Sequence, residues 1–166
     1  EHFDQVIAFE PVEEFRKCFE RNVKKSNYIM HPCALGREES FINMNIVEGN
    51  TGHSHIDTSS IGKGSIPLKT LDSFNFDNID MIKIDVEGFE YNVLKGAEQT
   101  IDRYSPILFV EIADAIKGRK YINPFYKDTL NWLWKKGYII FRSKDNFGSL
   151  EKIDRHNDSG YGHIAM

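Results

Sequence analysis

Residues 79–97, with the sequence IDMIKIDVEGFEYNVLKGA, limit the possible fold more than any other part of the chain. Residues 81–86 are rich in apolar side chains and predict a buried strand. Phe89, Val93 and Ala97 follow at helical spacing and predict one apolar face of a helix. A buried strand that leads straight into an amphipathic helix is the repeating unit of sheets covered by helices. The segment therefore predicts an α/β fold.

The same alternation continues along the chain. Helical spacing predicts helices after Pro11 and over 128–136, and apolar runs predict strands at residues 5–9, 28–33, 40–46 (an edge strand), 66–71, 106–111, 138–141 and 161–166. The inner runs are continuously apolar, which is typical of parallel strands buried on both faces. We therefore predict one domain over residues 1–166, a three-layer α/β sandwich with a mostly parallel sheet and a long loop at residues 48–65.

Composition and charge exclude several classes of protein. The net charge of -4 and the scattered Lys and Arg residues argue against nucleic acid as a partner. No apolar run approaches the ~20 residues that span a bilayer, and no signal-peptide pattern opens the sequence, so no membrane partner is expected. Cys18 and Cys33 are not spaced as metal ligands, and we interpret both as reduced thiols of a cytoplasmic protein.

Acidic residues are concentrated where the predicted strands end. In open α/β sheets, ligands bind in the crevice outside the carboxyl ends of the strands. Asp85 and Glu87 lie two residues apart, so in an extended chain both side chains leave the same face and can bind a divalent cation or accept a hydroxyl proton. The alternative is helix capping, with Asp85 near the cap and Glu87 and Glu90 in the first helical turn. For this motif taken by itself, capping is the favoured interpretation.

Two further acids end predicted strands, Glu10 after VIAF and Glu111 after PILFV. A carboxylate at the position of Glu10 can accept hydrogen bonds from both hydroxyls of a nucleotide ribose. The alternative is that Glu10 only interacts favourably with the dipole of the helix that follows Pro11. Position along the sequence does not decide between these two interpretations.

Residues 53–57, HSHID, place His53, His55 and Asp57 at alternate positions. This H-x-H-x-D spacing is similar to the metal motif of the metallo-β-lactamase family, but Thr58 stands where that motif continues with a further histidine. The other interpretations are a polar loop and a loop that faces a substrate, in which His53 binds the substrate. A metal-dependent hydrolase is the remote functional alternative.

Four segments resemble the FkbM-type methyltransferases, a family of S-adenosylmethionine-dependent enzymes. They are VIAFEP at 6–11, ALG at 34–36, TLDSF…IDMIKIDVEGFEYNVLKGAE between 70 and 98, and SPILFVEI at 105–112. The resemblance covers nearly the whole chain, in the expected order. It implies a Rossmann-like sheet of the class I methyltransferase type, with strand order 3-2-1-4-5-7-6, and methylation of a hydroxyl on a sugar or another small molecule.

The resemblance also implies roles for individual residues. The implied cofactor-binding residues are Glu10 at the ribose of S-adenosylmethionine, Pro11, Ala34 and Leu35 along the adenine, and Asp85 near the donor methyl group. The implied catalytic residues are Asp85 and Glu87, and no residue is assigned to a metal. Glu90 and Glu111 would line the acceptor side, and His53 adds a predicted substrate contact from the long loop.

The chain departs from this family in one respect. A glycine-rich loop is expected about 20 residues before the ribose-binding acid, but Glu10 has nine residues before it and none is glycine. We therefore expect an N-terminally incomplete domain that lacks strand one, which would lie between the strands ending at Glu10 and Asp85. The alternative is a reduced domain in which these two strands pair directly. The corresponding functional alternatives are an O-methyltransferase and a non-catalytic binding or scaffold domain.

Overall fold

The computed structural model describes residues 3–112, 123–143, 149–154 and 163–165. Strands and helices alternate along these residues, so the predicted α/β class is confirmed. The elements are β1 (Val6–Phe9), α1 (Glu13–Asn22), β2 (Tyr28–His31), β3 (Ala34–Leu35), β4 (Ser40–Asn45), β5 (His55–Asp57), β6 (Ile66–Lys69), β7 (Met81–Ile84), α2 (Glu90–Gly96), α3 (Glu98–Tyr104), β8 (Ile107–Glu111), α4 (Tyr126–Lys135), β9 (Ile140–Ser143), β10 (Leu150–Ile153) and β11 (His163–Ala165).

The described strands form three small sheets rather than one large parallel sheet. Strands β1 and β2 pair with each other, five strands follow the order β10-β9-β11-β8-β7, and four follow the order β3-β6-β4-β5. The pairs β1–β2, β7–β8 and β3–β6 are parallel, and the other described pairs are antiparallel. Parallel strands need long crossover connections. Helices supply these between β1 and β2 and between β7 and β8, whereas residues 36–65 contain no described α-helix and their strands turn back antiparallel.

Helices and apolar side chains cover one face of the five-stranded sheet. The register pairs Ile82 with Leu108 and Ile84 with Val110, so these side chains share a face. They belong to the main core, together with Leu94, Ile101, Leu130, Leu133 and Ile140. On the opposite face, Met81 and its partner Ile107 are 41% and 60% exposed. No described helix therefore covers this pair, and the third layer of the predicted sandwich is not seen there.

Several element boundaries differ from the sequence predictions for local reasons. The helix predicted after residue 88 is two helices, α2 and α3, which meet at Ala97. The backbone of Gly96 lies against the backbone of Gly36, and a Cβ atom at Gly96 would be 1.9 Å from the carbonyl oxygen of Gly36. This close approach requires glycine, a residue that also weakens a helix.

The long loop predicted at 48–65 contains β5 and two short 3₁₀ turns, at Thr51–His53 and Thr58–Ser60. Consequently β4 lies between β6 and β5 and is not an edge strand. The strand predicted over 28–33 ends at His31, and ALG begins a strand of another sheet. None of the described helices is long and apolar enough to cross a membrane, and Cys18 and Cys33 are free thiols, the latter buried.

Candidate active site

The turn between β7 and α2 carries the acids at the centre of the prediction. Strand β7 ends at Ile84 and helix α2 begins at Glu90. Glu87 and Gly88 have φ angles of 53° and 99°. The left-handed conformation costs a non-glycine residue about 1 kcal/mol, and such strain is concentrated at functional sites. The condition under which Asp85 and Glu87 would leave one face, an extended chain, is therefore not met, because the strand ends at Ile84 and Glu87 is left-handed.

Asp85 lies at the carboxyl edge of the five-stranded sheet. Ile84 pairs with Val110 in the parallel register, so the residues that follow them, Asp85 and Glu111, are neighbours at that edge. The Nζ atom of Lys83 is 2.7 Å from Oδ2 of Asp85, and both side chains are largely exposed. An exposed pair of this kind contributes only about 0–1 kcal/mol to stability. The carboxylate of Asp85 is thus accessible to a ligand, and its catalytic role stays a prediction.

Glu90 is buried, unlike Asp85. Its side chain is 2% exposed. Oε1 accepts a hydrogen bond from the amide of Gly88 at 2.7 Å, and Oε2 accepts one from Nδ2 of Asn123 at 3.2 Å. Burial, with a smaller contribution from the charge of Glu87, raises the pKa of Glu90 to about 7 although these hydrogen bonds lower it. Glu90 was predicted to line the acceptor side. Its carboxyl is buried between the Gly88 amide and Asn123, and the acceptor role stays a prediction.

Glu10 follows β1 and is half-buried at the start of α1. Its Oε1 accepts a hydrogen bond from the amide of Val12, the residue before the first helical turn, at 2.8 Å. Arg16 donates to the carbonyl oxygens of Glu10 and Pro11 at 2.7 and 2.8 Å. Burial raises the pKa of Glu10 against the effects of Val12 and Arg16. Glu10 thus stabilises the helix start, and since a carboxylate has two oxygens, ribose binding remains a prediction.

An aromatic cluster joins the end of the β1–β2 pair to the chain after β6. Phe9 stacks on His31 with ring centroids 5.1 Å apart, and both rings contact Phe74 and Phe76. Nε2 of His31 is buried without a hydrogen-bond partner among the described residues. The spacing of two phenylalanines in FNF was the available signal, but nothing local identifies Phe9 and His31 as their partners.

The ALG segment packs against α2, the helix that follows the Asp85 turn. Ala34 is 4% exposed, and β3 pairs with β6 next to the start of α2. A Cβ atom at Gly36 would be 3.1 Å from the ring of Phe89, the residue just before α2. The segments predicted to hold the adenine and the donor methyl group are therefore packed together. Leu35 is half-buried in the same short strand.

The histidine motif forms local hydrogen bonds instead of a metal centre. Nδ1 of His53 is 2.9 Å from the side-chain nitrogen Nδ2 of Asn50, and Nδ1 of His55 is 3.1 Å from the carbonyl oxygen of His53. Asp57 accepts from the amide and the hydroxyl of Ser59. Across the described residues, no three His, Cys, Asp or Glu side chains come together as metal ligands. The substrate role of His53 stays a prediction.

Comparisons with known proteins agree with the resemblance of the four motifs. Residues 4–140 match the Methyltransferase FkbM domain. The crystal structure of the methyltransferase FkbM from Methylobacillus flagellatus KT superposes with a TM-score of 0.58 at 17% sequence identity, which shows a shared fold. The alignment covers 98% of this chain and 36% of that one, so the chain spans about a third of the length of its structural neighbour. No curated protein sequence matches. Since the family match extends over most of the sequence, the chain belongs to the FkbM methyltransferase family.

Proposed function

We propose that the protein is an S-adenosylmethionine-dependent O-methyltransferase of the cytoplasm, acting on a hydroxyl of a small molecule or glycan. The observation that carries this proposal is the packing of ALG against Phe89, at the turn that holds Asp85. This packing brings the predicted adenine strand against α2, the helix that follows the carboxyl edge of β7. Ligands of open α/β sheets bind at such edges, and the family match supplies the reaction class.

The residues present suit one part of the cofactor. The half-buried carboxylate of Glu10 fits a ribose diol, and Ala34 and Leu35 offer an apolar strand for an adenine ring. Among the described residues, no glycine-rich strand–helix turn is available for the methionine part. Bound S-adenosylmethionine would supply an electrophilic methyl group on its sulfonium.

The chain's own task would be to orient the acceptor hydroxyl and to remove its proton. Correct alignment of two reactants can lower a barrier by roughly 7–11 kcal/mol, and a positioned base contributes about 10²–10⁴-fold. Asp85 is the proposed base because it is accessible at the sheet edge. Glu87, held in a left-handed conformation in the same turn, is the second candidate. Glu111, at the end of the neighbouring strand, is proposed to contact the acceptor.

A further polypeptide strand would complete this site. Among the described strands, β1 pairs with β2 alone, and β7 pairs with β8 at the end of its sheet. The direct pairing of β1 with β7 that a reduced domain would require is not observed. We propose that the complete protein places a strand between them, followed by the glycine-rich loop, as the family resemblance implies. A non-catalytic binding domain is the alternative if no such segment exists.

Isothermal titration with S-adenosylhomocysteine tests the proposal on two proteins, this chain and a longer one that begins at the start codon of the gene. We expect binding by the longer protein and at least about tenfold weaker binding by this chain. Glu10→Gln should weaken binding, whereas Glu13→Gln, an exposed glutamate of the following helix, should not. Failure of the longer protein to bind at millimolar ligand would reject the methyltransferase and favour the scaffold.

A further inference from the structure

Glu90 makes buried hydrogen bonds that have no role in the proposed methyl transfer. We infer that Glu90 is a positioning residue, which acts through the peptide of Gly88 and through Asn123 to hold the Asp85 turn against the start of α4. This inference rests on the proposed methyl transfer, because it assigns a purpose to the geometry of that turn.

A continuous series of hydrogen bonds connects the turn to α4. The amide of Gly88 donates to Oε1 of Glu90, and Nδ2 of Asn123 donates to Oε2. The Oδ1 atom of Asn123 in turn accepts from the amide of Phe125, the residue immediately before α4, at 3.0 Å. Glu90 and Asn123 are only 2% and 5% exposed, so water does not replace these bonds easily.

A ring contact reinforces the same connection. Tyr91, the residue after Glu90, stacks on Phe125 with centroids 5.6 Å apart and the ring planes 18° from parallel. The two helices therefore meet through one buried polar contact and one aromatic contact at neighbouring residues. Movement of the α4 start would displace both Asn123 and Phe125, and through them the carboxyl of Glu90.

The turn needs such support because its backbone is unfavourable. Glu87 is left-handed, and Gly88 has a positive φ angle that other residues rarely adopt. The hydrogen bond from the Gly88 amide to Glu90 fixes the orientation of the Glu87–Gly88 peptide. This peptide lies two residues after Asp85, so its orientation determines where the chain leaves the strand. Without the bond, the turn would exchange among conformations that direct Asp85 and Glu87 differently.

Simple helix capping does not account for these contacts. An acid at a helix start interacts with the dipole while it remains in water. Glu98 shows that arrangement at the start of α3, where its side chain is 35% exposed and paired with Lys95 and Lys136. A buried carboxylate costs free energy unless it is hydrogen-bonded, and burial raises the pKa of Glu90 to about 7. The carboxyl is buried at the start of α2 and partly exposed at the start of α3.

The test compares Glu90→Gln with Glu98→Gln in the full-length protein, since both replace the first glutamate of a helix. Amide hydrogen exchange read by NMR should accelerate at Gly88 and Phe125 by at least about tenfold in Glu90→Gln, and not in Glu98→Gln. Asn123→Ala should accelerate the same two amides. For methyl transfer, kcat should fall about tenfold or more in Glu90→Gln with KM for S-adenosylmethionine within about twofold, because a positioning residue acts on alignment.

Three results separate the possibilities. Unchanged exchange at Gly88 in Glu90→Gln, or a kcat no lower than in Glu98→Gln, would overturn the positioning role. Equal losses in kcat and stability in both glutamate variants would assign Glu90 to helix capping. If the wild-type protein transfers no methyl group, the proposed function fails, and the exchange of Gly88 and Phe125 still decides whether Glu90 holds the turn.

Discussion

The starts of α2 and α3 present the same residue in opposite environments. Each helix begins with a glutamate, Glu90 and Glu98. Burial raises the pKa of Glu90 to about 7, whereas hydrogen bonds from Lys95 and Lys136 hold the pKa of Glu98 at about 2. Both helices are seven residues long and lie one after the other, so helix position does not explain the difference. The surroundings decide it: the carboxyl of Glu90 is buried, whereas that of Glu98 is paired with Lys95 and Lys136.

The comparison also extends to an aspartate near each helix. Asp85 lies before α2, accessible at the sheet edge and paired with exposed Lys83. Asp72 approaches α3 from a distant part of the sequence and accepts hydrogen bonds from the amides of Gln99 and Thr100 and from the Thr100 hydroxyl. The carboxylate of Asp85 is thus exposed and proposed to act in catalysis, whereas that of Asp72 stabilises the start of α3. We expect substitutions at the α2 start to affect activity and substitutions at the α3 start to affect folding.

The largest effect is expected from Asp85→Asn in the full-length protein. An amide cannot accept the hydroxyl proton as a carboxylate does, so methyl transfer should fall by about 10²–10⁴-fold. Affinity for S-adenosylhomocysteine, measured by isothermal titration, should change by less than about threefold. The free energy of unfolding should change by less than about 1 kcal/mol, because only an exposed ion pair is lost. Turnover near the wild-type value would remove Asp85 from the mechanism.

The second prediction concerns the pH dependence of stability. The pKa of Glu90 rises from 4.5 to about 7 on folding, so the folded state binds the proton more tightly. Its contribution to stability is complete below pH 4.5 and is lost as the pH rises to about 7, with a total on the order of 3 kcal/mol. Urea unfolding of the wild type and of Glu90→Gln should show this loss as a difference that changes across this pH range. A constant difference between the two proteins would contradict the raised pKa.

A third prediction concerns Asp72→Ala. The substitution removes the acceptor for three donors at the start of α3, and loss of such a cap typically costs about 0.5–2 kcal/mol. Thermal unfolding should report lower stability while methyl transfer per folded molecule is unchanged. A larger effect on turnover than on stability would show that the two helix starts do not differ in function as proposed.

The α2 start also shows how far the sequence predicts the site. Strands β7 and β8 and the acids after them followed from apolar runs and strand ends. The left-handed Glu87 was not predictable, because local preference opposes that conformation. Asn123 lies 33 residues from Glu90 in sequence, and no local pattern connects an asparagine before a helix to a buried acid.

The region between β3 and β6 was predicted least well, for a different reason. Strand β5 has three residues and contains a single buried apolar residue, Ile56, between His55 and Asp57. Hydrophobic periodicity needs several turns or alternations to be recognised. The pairing of β4 with both β5 and β6 depends on contacts across the sheet and leaves little trace in any one strand.

The smallest effect is expected from Glu98→Gln. The pKa of Glu98 is held at about 2, so its contribution to stability is present above pH 4.5 and is lost as the pH falls toward 2. Because the side chain is 35% exposed, solvent screens the pair with the lysines, and we expect a loss of about 1 kcal/mol or less at neutral pH. Added salt should shrink the difference between wild type and Glu98→Gln in urea unfolding, since exposed charges are screened. The difference attributed to Glu90 should persist in salt, because its carboxyl is buried. Equal salt sensitivity of the two variants would show that their environments are alike.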